Sequence, residues 1–591
     1  MRTIKCVALL LLVCGFWQKG QSQRADKGDY YWNFVPHYFS GNPLPSYQGF
    51  ALDFEGEEVK VKTIESPVQI DGTNSTFCDE NGRMLMYTNG VYIVDSSYQK
   101  MENGDSISTN SRIKAYTSYY ITGYPLPRIT AFLPMGEDSY KLIMVLGDTI
   151  TIDGTLTVRD RYLTSNDIRF DEAHPKGRVT KKEDLIWSDT MITLNVTACR
   201  HANGRDWWFI TQRDARNILM KFLISPDSIR GPWYQEFPLP DHPFYNGNSV
   251  FSPDGTKFYH LDGPFGIQLY DFDRCTGELS NFRYFHDLKD VNVPCDIAIS
   301  PNSRYLYMVT GKYVKQYDLA TPDVQSFGAS VDTVGVLSPA TPGNFGRISL
   351  APDRKMYINS SNAAYSLSVI HYPDRKGKAC RLVQGALKVP YMTGGYSINN
   401  FPDYRLGPEA GSECDSLGLA KGPVARFRIN HDSLDSYSKE FTDLSFRNPT
   451  EWSWSFGDGG SSSEREPVHV YASKGVYEVC LTVSNAYGSD TYCKHTGIWP
   501  LSTTEQGGKG IALYPNPATN SINIELGEKL SDGRAYTIHC YDLLGRRCYT
   551  GTLPAYSYLH TIDVSSFAPG MYFIELTDGL GNKRVEKFVR E

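Results

Sequence analysis

No stretch of this 591-residue sequence holds eighteen consecutive apolar residues, so no segment is long enough to cross a bilayer as a helix. Positive charge is not in excess either: 59 Lys and Arg against 66 Asp and Glu give 59 − 66 = −7. The chain therefore offers no basic field to hold a nucleic-acid backbone or an anionic membrane. The short signatures of common active sites are also missing. There is no HExxH, no GxSxG, no Walker loop and no dinucleotide fingerprint, and "GGKGI" at 507–511 follows no strand. CxxC spacing is absent, which removes the usual zinc sites. "CDENG" at 78–82 lacks the twelve-residue ligand spacing of a calcium loop and reads as a turn. No cofactor and no metal are expected, although loops of distant strands can still converge on a site.

What is abundant points one way. Forty tyrosines, 51 glycines and 13% aromatics suit many short strands joined by turns, an all-β chain divided into about three domains. Residues 1–22 read as a secretory signal: Arg2 and Lys5 precede the apolar run Val7 to Trp17, and Gly20 and Ser22 offer small residues before Gln23. Cys14 follows Val13 rather than a small residue, which argues against a lipoprotein signal. Of twelve cysteines, Cys6 and Cys14 would leave with this segment, and ten in an exported chain favour disulfides. Cys480 and Cys493 flank "LTVSNAYGSDTY", whose central turn would set them opposite one another, and they form the candidate disulfide. Cys540 with Cys548, and Cys275 with Cys295, are two further possible pairs.

Residues 30–405 repeat a turn followed by an aromatic strand. The clearest copies are "FSPDGTKFYHL", "ISPNSRYLYMV" and "LAPDRKMYINS", with Pro253, Pro301 and Pro352 spaced by 48 and 51 residues. Looser copies are "CDENGRMLMYTNG", "FLPMGEDSYKLIMV" and "RHANGRDWWFI". A period near fifty with several strands per unit predicts a β-propeller. Six blades are recognisable, and a seventh can be made from "YMTGGYSINNFPDY" closed by an N-terminal strand such as "GFALDFEG". The region resembles the secreted propellers of Bacteroidetes proteins that carry a late sorting domain, through "DENGRMLMYTNG", "HANGRDWWFI", "LYDFDRCTGELS" and "SPNSRYLYM". His201, Asn203, Asp206, Trp207 and Trp208 could bind a sugar or form an acid–base pair, but a tight Asn-Gly turn accounts for them structurally.

At 423–499, Trp452 and Trp454 alternate inward, Gly457-Asp458-Gly459 makes a tight turn, and "GVYEVCLTVSN" enters a hairpin. "WSFGDGG", "HVY" and "GVYEVCLTV" resemble a PKD domain, an immunoglobulin-like sandwich that implies spacing or weak binding, with Asp458 a turn residue. Residues 500–510 are polar and glycine-rich, a linker. Residues 511–591 hold four strand-like blocks and form another sandwich. Tyr514, Pro515, Asn516 and Pro517 ("YPNP"), "YDLLGR" with Gly545, "GMYFIEL" with Gly570 and Tyr572, and a basic tail including Lys587 resemble the type A C-terminal sorting domain of the type IX secretion system. That resemblance implies Sec export, recognition by an outer-membrane translocon, and a sortase-like step that anchors cargo to the outer surface.

The function expected is therefore that of an exported, surface-anchored binding protein, adhesin-like, with a protein or glycan ligand, the propeller presenting the ligand and the PKD domain acting as spacer. A secreted propeller enzyme acting on glycan or peptide is the alternative, and a structural surface or gliding-associated component is a third. Aromatics in "DGPFGIQLY" and "GGYSINNFPDY" could stack on sugars, but no binding residue is singled out.

Overall fold

The computed structural model describes residues 26–35, 46–56, 58–70, 72–108, 128–136, 138–152, 155–191, 196–213, 218–238, 248–263, 265–286, 288, 295–338, 344–360, 364–393, 398–399, 401–430, 437–498, 511–526, 535–543, 545–553, 559–578 and 583–591. The expected signal segment 1–22 and the linker 500–510 lie outside them. Alternating and β-branched runs give strands nearly everywhere, and no helix among the described residues is long and apolar enough to cross a membrane.

Seven antiparallel sheets follow one another between residues 31 and 393. The first two have three strands each, at 31–66 and 75–95, and the other five have four, at 130–191, 197–236, 248–285, 295–336 and 345–393. Every sheet keeps chain order, so each is a meander. Opening strands touch at five of the six steps between sheets: Tyr31–Phe34 meets Ser75–Cys78, which meets Thr130–Pro134; Thr197–Arg200 meets Asn248–Phe251, and the latter meets Cys295–Ile299, which meets Phe345–Leu350. The first and seventh sheets share a core in which Trp32, Phe50 and Leu52 pack with Tyr357, Leu367 and Val369. Ile398 and Phe401 of the late "YSINNFPDY" segment pack into that same core beside "GFALDFEG", whose strand Tyr47–Asp53 is the middle one of the first sheet.

The six repeat copies all fall in the same place, the turn between the first and second strands of sheets two to seven. In the last four of these turns an Asx oxygen accepts from the backbone N–H two residues on: Asn203 from Arg205, Asp254 from Thr256, Asn302 from Arg304 and Asp353 from Lys355, at 2.9 to 3.1 Å. The next residue is left-handed, which suits Gly204 and Gly255 (φ 77° and 72°) but is also adopted by Ser303 and Arg354 (both φ 59°).

Residues 427–498 form a two-sheet sandwich around Phe427, Trp454, Phe456, Val479, Leu481 and Val483. The hairpin Gly475–Asn485 with Gly488–Ile498 pairs Cys480 with Cys493, and these two form a disulfide. The two other possible pairs are not the ones formed. Cys275 bonds Cys414 across 139 positions, because the 404–414 strap returns over the turn that carries Cys275. Cys540 and Cys548 are free: Cys540 sits opposite Tyr549 across its hairpin and points into the core, while Cys548 is exposed.

The sandwich is docked on the sheets rather than held off them as a free spacer. Arg354 Nη1 donates to Asp443 O (2.5 Å), Arg428 donates to Asp353 O, Arg447 pairs with Asp26 (2.8 Å) and Arg375 with Glu440 (3.1 Å). The last sandwich, 511–591, packs Ile522, Ile524, Ile538, Cys540, Ile574, Leu576 and Phe588 between sheets of three and four strands.

Candidate functional site

Two regions bring polar groups together in ways that packing alone does not require. The first lies at one end of the seven opening strands. Asp296, fully buried, accepts from Arg128 Nη2 (2.8 Å), Asn248 Nδ2 (2.6 Å) and the Ile348 N–H (3.0 Å), and Arg347 Nη1 stands 3.8 Å away. Arg128 also donates to Ile348 O (2.9 Å), which joins the third, fifth, sixth and seventh sheets at one point. Burial pulls the Arg128 pKa down, and Asp296 opposes that shift. Beside it Asn74 and Asn399 exchange amide hydrogen bonds at 3.1 Å, and Ser75 Oγ donates to Thr130 O (2.9 Å). The seam between opening strands is thus polar, and two buried arginines share one carboxylate. Nothing in the sequence flagged this cluster, whose members stand 168 and 220 residues apart.

At the opposite end a returning segment of the chain packs over the sheets. Tyr404, fully buried, packs edge-on against Phe77 and Trp207, and its hydroxyl donates to Phe132 O (2.9 Å). Arg405 pairs with Asp29 (2.7 Å), Glu409 N–H donates to Ala202 O (2.8 Å), and Arg274 donates to Gly407 O (2.6 Å). A Cβ at Gly204 would stand 2.7 Å from Pro408, so the repeat turn's glycine also lets the strap approach.

The His201 group belongs to this end and has a structural arrangement. His201 Nδ1 accepts from the Asn203 N–H (3.0 Å) and Nε2 donates to Cys275 O (3.0 Å), a neutral imidazole whose pKa burial lowers. Asn203 Nδ2 donates to Asp206 (2.8 Å), while the Trp207 and Trp208 indoles donate to Pro134 O and Arg274 O. Both tryptophans are buried, so neither offers a face to a sugar. Asp458 accepts from the Gly460 N–H (2.9 Å) and pairs with His469 (2.7 Å), the geometry of a turn.

The second region is the entry to the last sandwich. Asn516 reads the final strand with both ends of its amide: Nδ2 donates to Lys587 O (3.2 Å) and Oδ1 accepts from the Val589 N–H (2.9 Å). Ala518 then joins that strand through its backbone, to Val589 O (2.7 Å) and from Glu591 N–H (3.0 Å). Tyr514, Pro515 and Pro517 frame the motif, and neither proline has an N–H to leave unpaired at this edge. Gly545, at φ 75°, closes the turn in which Asp542 accepts from the Arg546 N–H (2.9 Å). Gly570 opens the strand Gly570–Asp578, Tyr572 packs on Phe588 and donates to Ala568 O (2.8 Å), and Lys587 is exposed on the edge strand Lys583–Arg590. Asn516 and Ala518 thus tie the segment after the first strand to the last strand of the sandwich.

Residues 423–498 match the PKD domain family, and residues 512–591 match the secretion system C-terminal sorting domain family. Among curated proteins, the chain is 38% identical over 71 residues to the pre-pro-metalloprotease PrtV of Vibrio cholerae, covering 12% of this chain and 8% of that protein. It is 50% identical over 38 residues to the collagenase ColA of Bacillus cereus, covering 6% of this chain and 4% of that protein. The chain therefore spans less than a tenth of the length of either relative. Among solved structures, the PKD1 domain of Vibrio cholerae PrtV is 31% identical, with 13% of this chain and 95% of that one covered and a TM-score of 0.12. The PKD1 domain of Vibrio anguillarum Epp is 29% identical over 13% of this chain and 95% of that one, also at 0.12. The C-terminal domain marks the chain as cargo of the type IX system, exported to the cell surface or the extracellular space.

Proposed function

We propose that this exported chain is an adhesin-like binding protein. Residues 30–405 form a seven-bladed β-propeller that presents an extracellular protein or glycan ligand at the channel end away from the PKD domain. The observation that carries this reading is the one-sided covering of the sheets. Among the described residues, strap, Tyr404 and PKD sandwich make their contacts at the end that holds the repeat turns, which favours the other end for recognition. Seven successive meanders, with opening strands in contact at five of the six steps between them, support the propeller. At the free end, Phe265, Tyr313 and the 59%-exposed Tyr365 stand at turns between second and third strands, where rings can stack on sugars. The third sheet reaches farthest there: its second strand, Ser139–Ile152, has 14 residues against 6 in Lys257–Asp262 of the fifth. At about 3.3 Å per residue, the difference is an arm of roughly 25 Å.

Tyr514 to Pro517, Gly545, Gly570, Tyr572 and Lys587 serve as the folded label that the type IX translocon and its sortase-like machinery read. The test of the binding face uses the full chain with Cys548 replaced by Ser, since that thiol is exposed. A polyethylene glycol chain is attached at Lys312→Cys, on the free end, or at Lys181→Cys, on an outer strand, and each protein is screened on glycan and extracellular-protein arrays. Loss of binding with the first label alone is expected. Equal binding by both labelled proteins would overturn the placement.

A further inference from the structure

The turn between the third and fourth strands of the seventh sheet, "DRKGKACR" at 374–381, carries four cations in seven residues: Arg375, Lys376, Lys378 and Arg381. Such a density is out of keeping with a chain of net charge −7. It also lies against the PKD sandwich, and the two flank a half-open groove of about 340 Å³ lined by Tyr372, Arg375, Lys378, Arg381, Asn430 and Glu440. That volume is at the lower end of the roughly 300–1,000 Å³ typical of small-molecule sites.

We infer that this junction binds an anionic saccharide, a sugar unit bearing a carboxylate or a sulfate ester. Three of the lining groups are cationic and one is anionic, so the wall carries a surplus of positive charge. Glu440 is engaged by Arg375 (3.1 Å), whose guanidinium lies 4.0 Å from the Tyr372 ring centre. Those contacts preset the Arg375 fork for a planar oxyanion. Lys378 is exposed on the short 3-10 turn Gly377–Cys380 and supplies a mobile point charge. A simple inorganic anion would need only the cations. On the facing wall Asn430 accepts from Arg428 (2.8 Å) and donates to Thr442 (3.1 Å), which leaves its second amide N–H, and with the lone pairs of Glu440 that Arg375 does not use it gives hydroxyl groups their partners, which favours a saccharide. The site exists only because the sandwich is docked, so the PKD domain contributes half of a binding surface. It lies at the covered end of the sheets and does not depend on the free-end ligand proposed above.

The test measures binding of the purified full chain to polygalacturonate, to dextran sulfate and to neutral dextran by calorimetry at two salt concentrations. Saturable, salt-sensitive binding to at least one polyanion and none to dextran is expected; which polyanion binds identifies carboxylate or sulfate as the recognised group. Lys378→Glu and Lys378→Ala, at an exposed position, should each weaken binding about tenfold or more, the scale of a lost charge-assisted hydrogen bond. The free-end label at Lys312→Cys should leave this binding unchanged, which separates failure of one site from failure of the other. Binding to neither polyanion, equal binding to dextran, or unaltered affinity in both Lys378 variants would overturn the inference.

Discussion

Replacing Asp296 by Ala should be among the most damaging single changes in the seven-sheet region. Asp296 is fully buried and is the carboxylate that Arg128 and Arg347 share, and both arginines are themselves more than nine-tenths buried. Its removal leaves two guanidinium groups facing one another and also strips acceptors from Asn248 and the Ile348 N–H. Breaking a buried pair by removing one partner costs about 3–5 kcal/mol. Against a domain stability of roughly 5–15 kcal/mol, that is a large fraction. Urea unfolding followed by the fluorescence of buried Trp32 and Trp207 measures it. The second half of a mutant cycle is more telling. Asp296→Ala combined with Arg128→Met removes the orphaned charge and should be less destabilised than the sum of the single changes. A cost below about 1 kcal/mol for Asp296→Ala, or strict additivity in the cycle, would refute the reasoning.

Cys414→Ser should release the strap and lower stability by about 2–5 kcal/mol, read by calorimetry, because Cys275–Cys414 closes a loop of 139 positions. Arg354→Gly relieves a left-handed residue that costs about 1–2 kcal/mol yet gives up the bond to Asp443 O, so proteolysis at the PKD junction should accelerate while far-ultraviolet dichroism stays unchanged. His201 and His260 are held neutral because burial lowers both pKa values; Asp262 opposes the shift at His260. The unfolded chain then binds more protons, so their contribution is complete above about pH 6.5 and falls away as pH drops below it; His260→Gln should flatten that slope in urea titrations. Asn516→Ala removes two bonds to the final strand, and hydrogen exchange at Val589 should quicken together with a fall in export.

Much of the fold was legible because short-range chemistry carries it. Proline-Asx turns at 253, 301 and 352 marked where first strands end, and the alternation of "GVYEVCLTVSN" marked the sandwich hairpin and its Cys480–Cys493 neighbours. What was hidden depends on contacts between distant segments. Cys275 could not be assigned to Cys414 from spacing, because the strap's return path is a tertiary fact. Arg128 and Arg347 carried no local signature either, since any buried arginine reads like a surface one until its partner is known. The docking of the PKD sandwich was illegible for the same reason: Arg354 occupies a left-handed position that two of the other turns give to glycine, and its use becomes visible only beside Asp443. His201 was legible as a turn residue from "HANG" alone, and the hydrogen bonds to Asn203 and Cys275 give that reading its geometry.

The most direct test of the central claim, that this chain binds and does not transform, is to incubate the purified full chain with the glycans and extracellular proteins it captures on arrays. The binding isotherm and the mass spectrum of the ligand are then recorded from the same samples. Saturable binding with the ligand recovered intact is the predicted result. A cleaved or otherwise altered ligand would contradict the account and turn attention to carboxylates at the free end of the sheets.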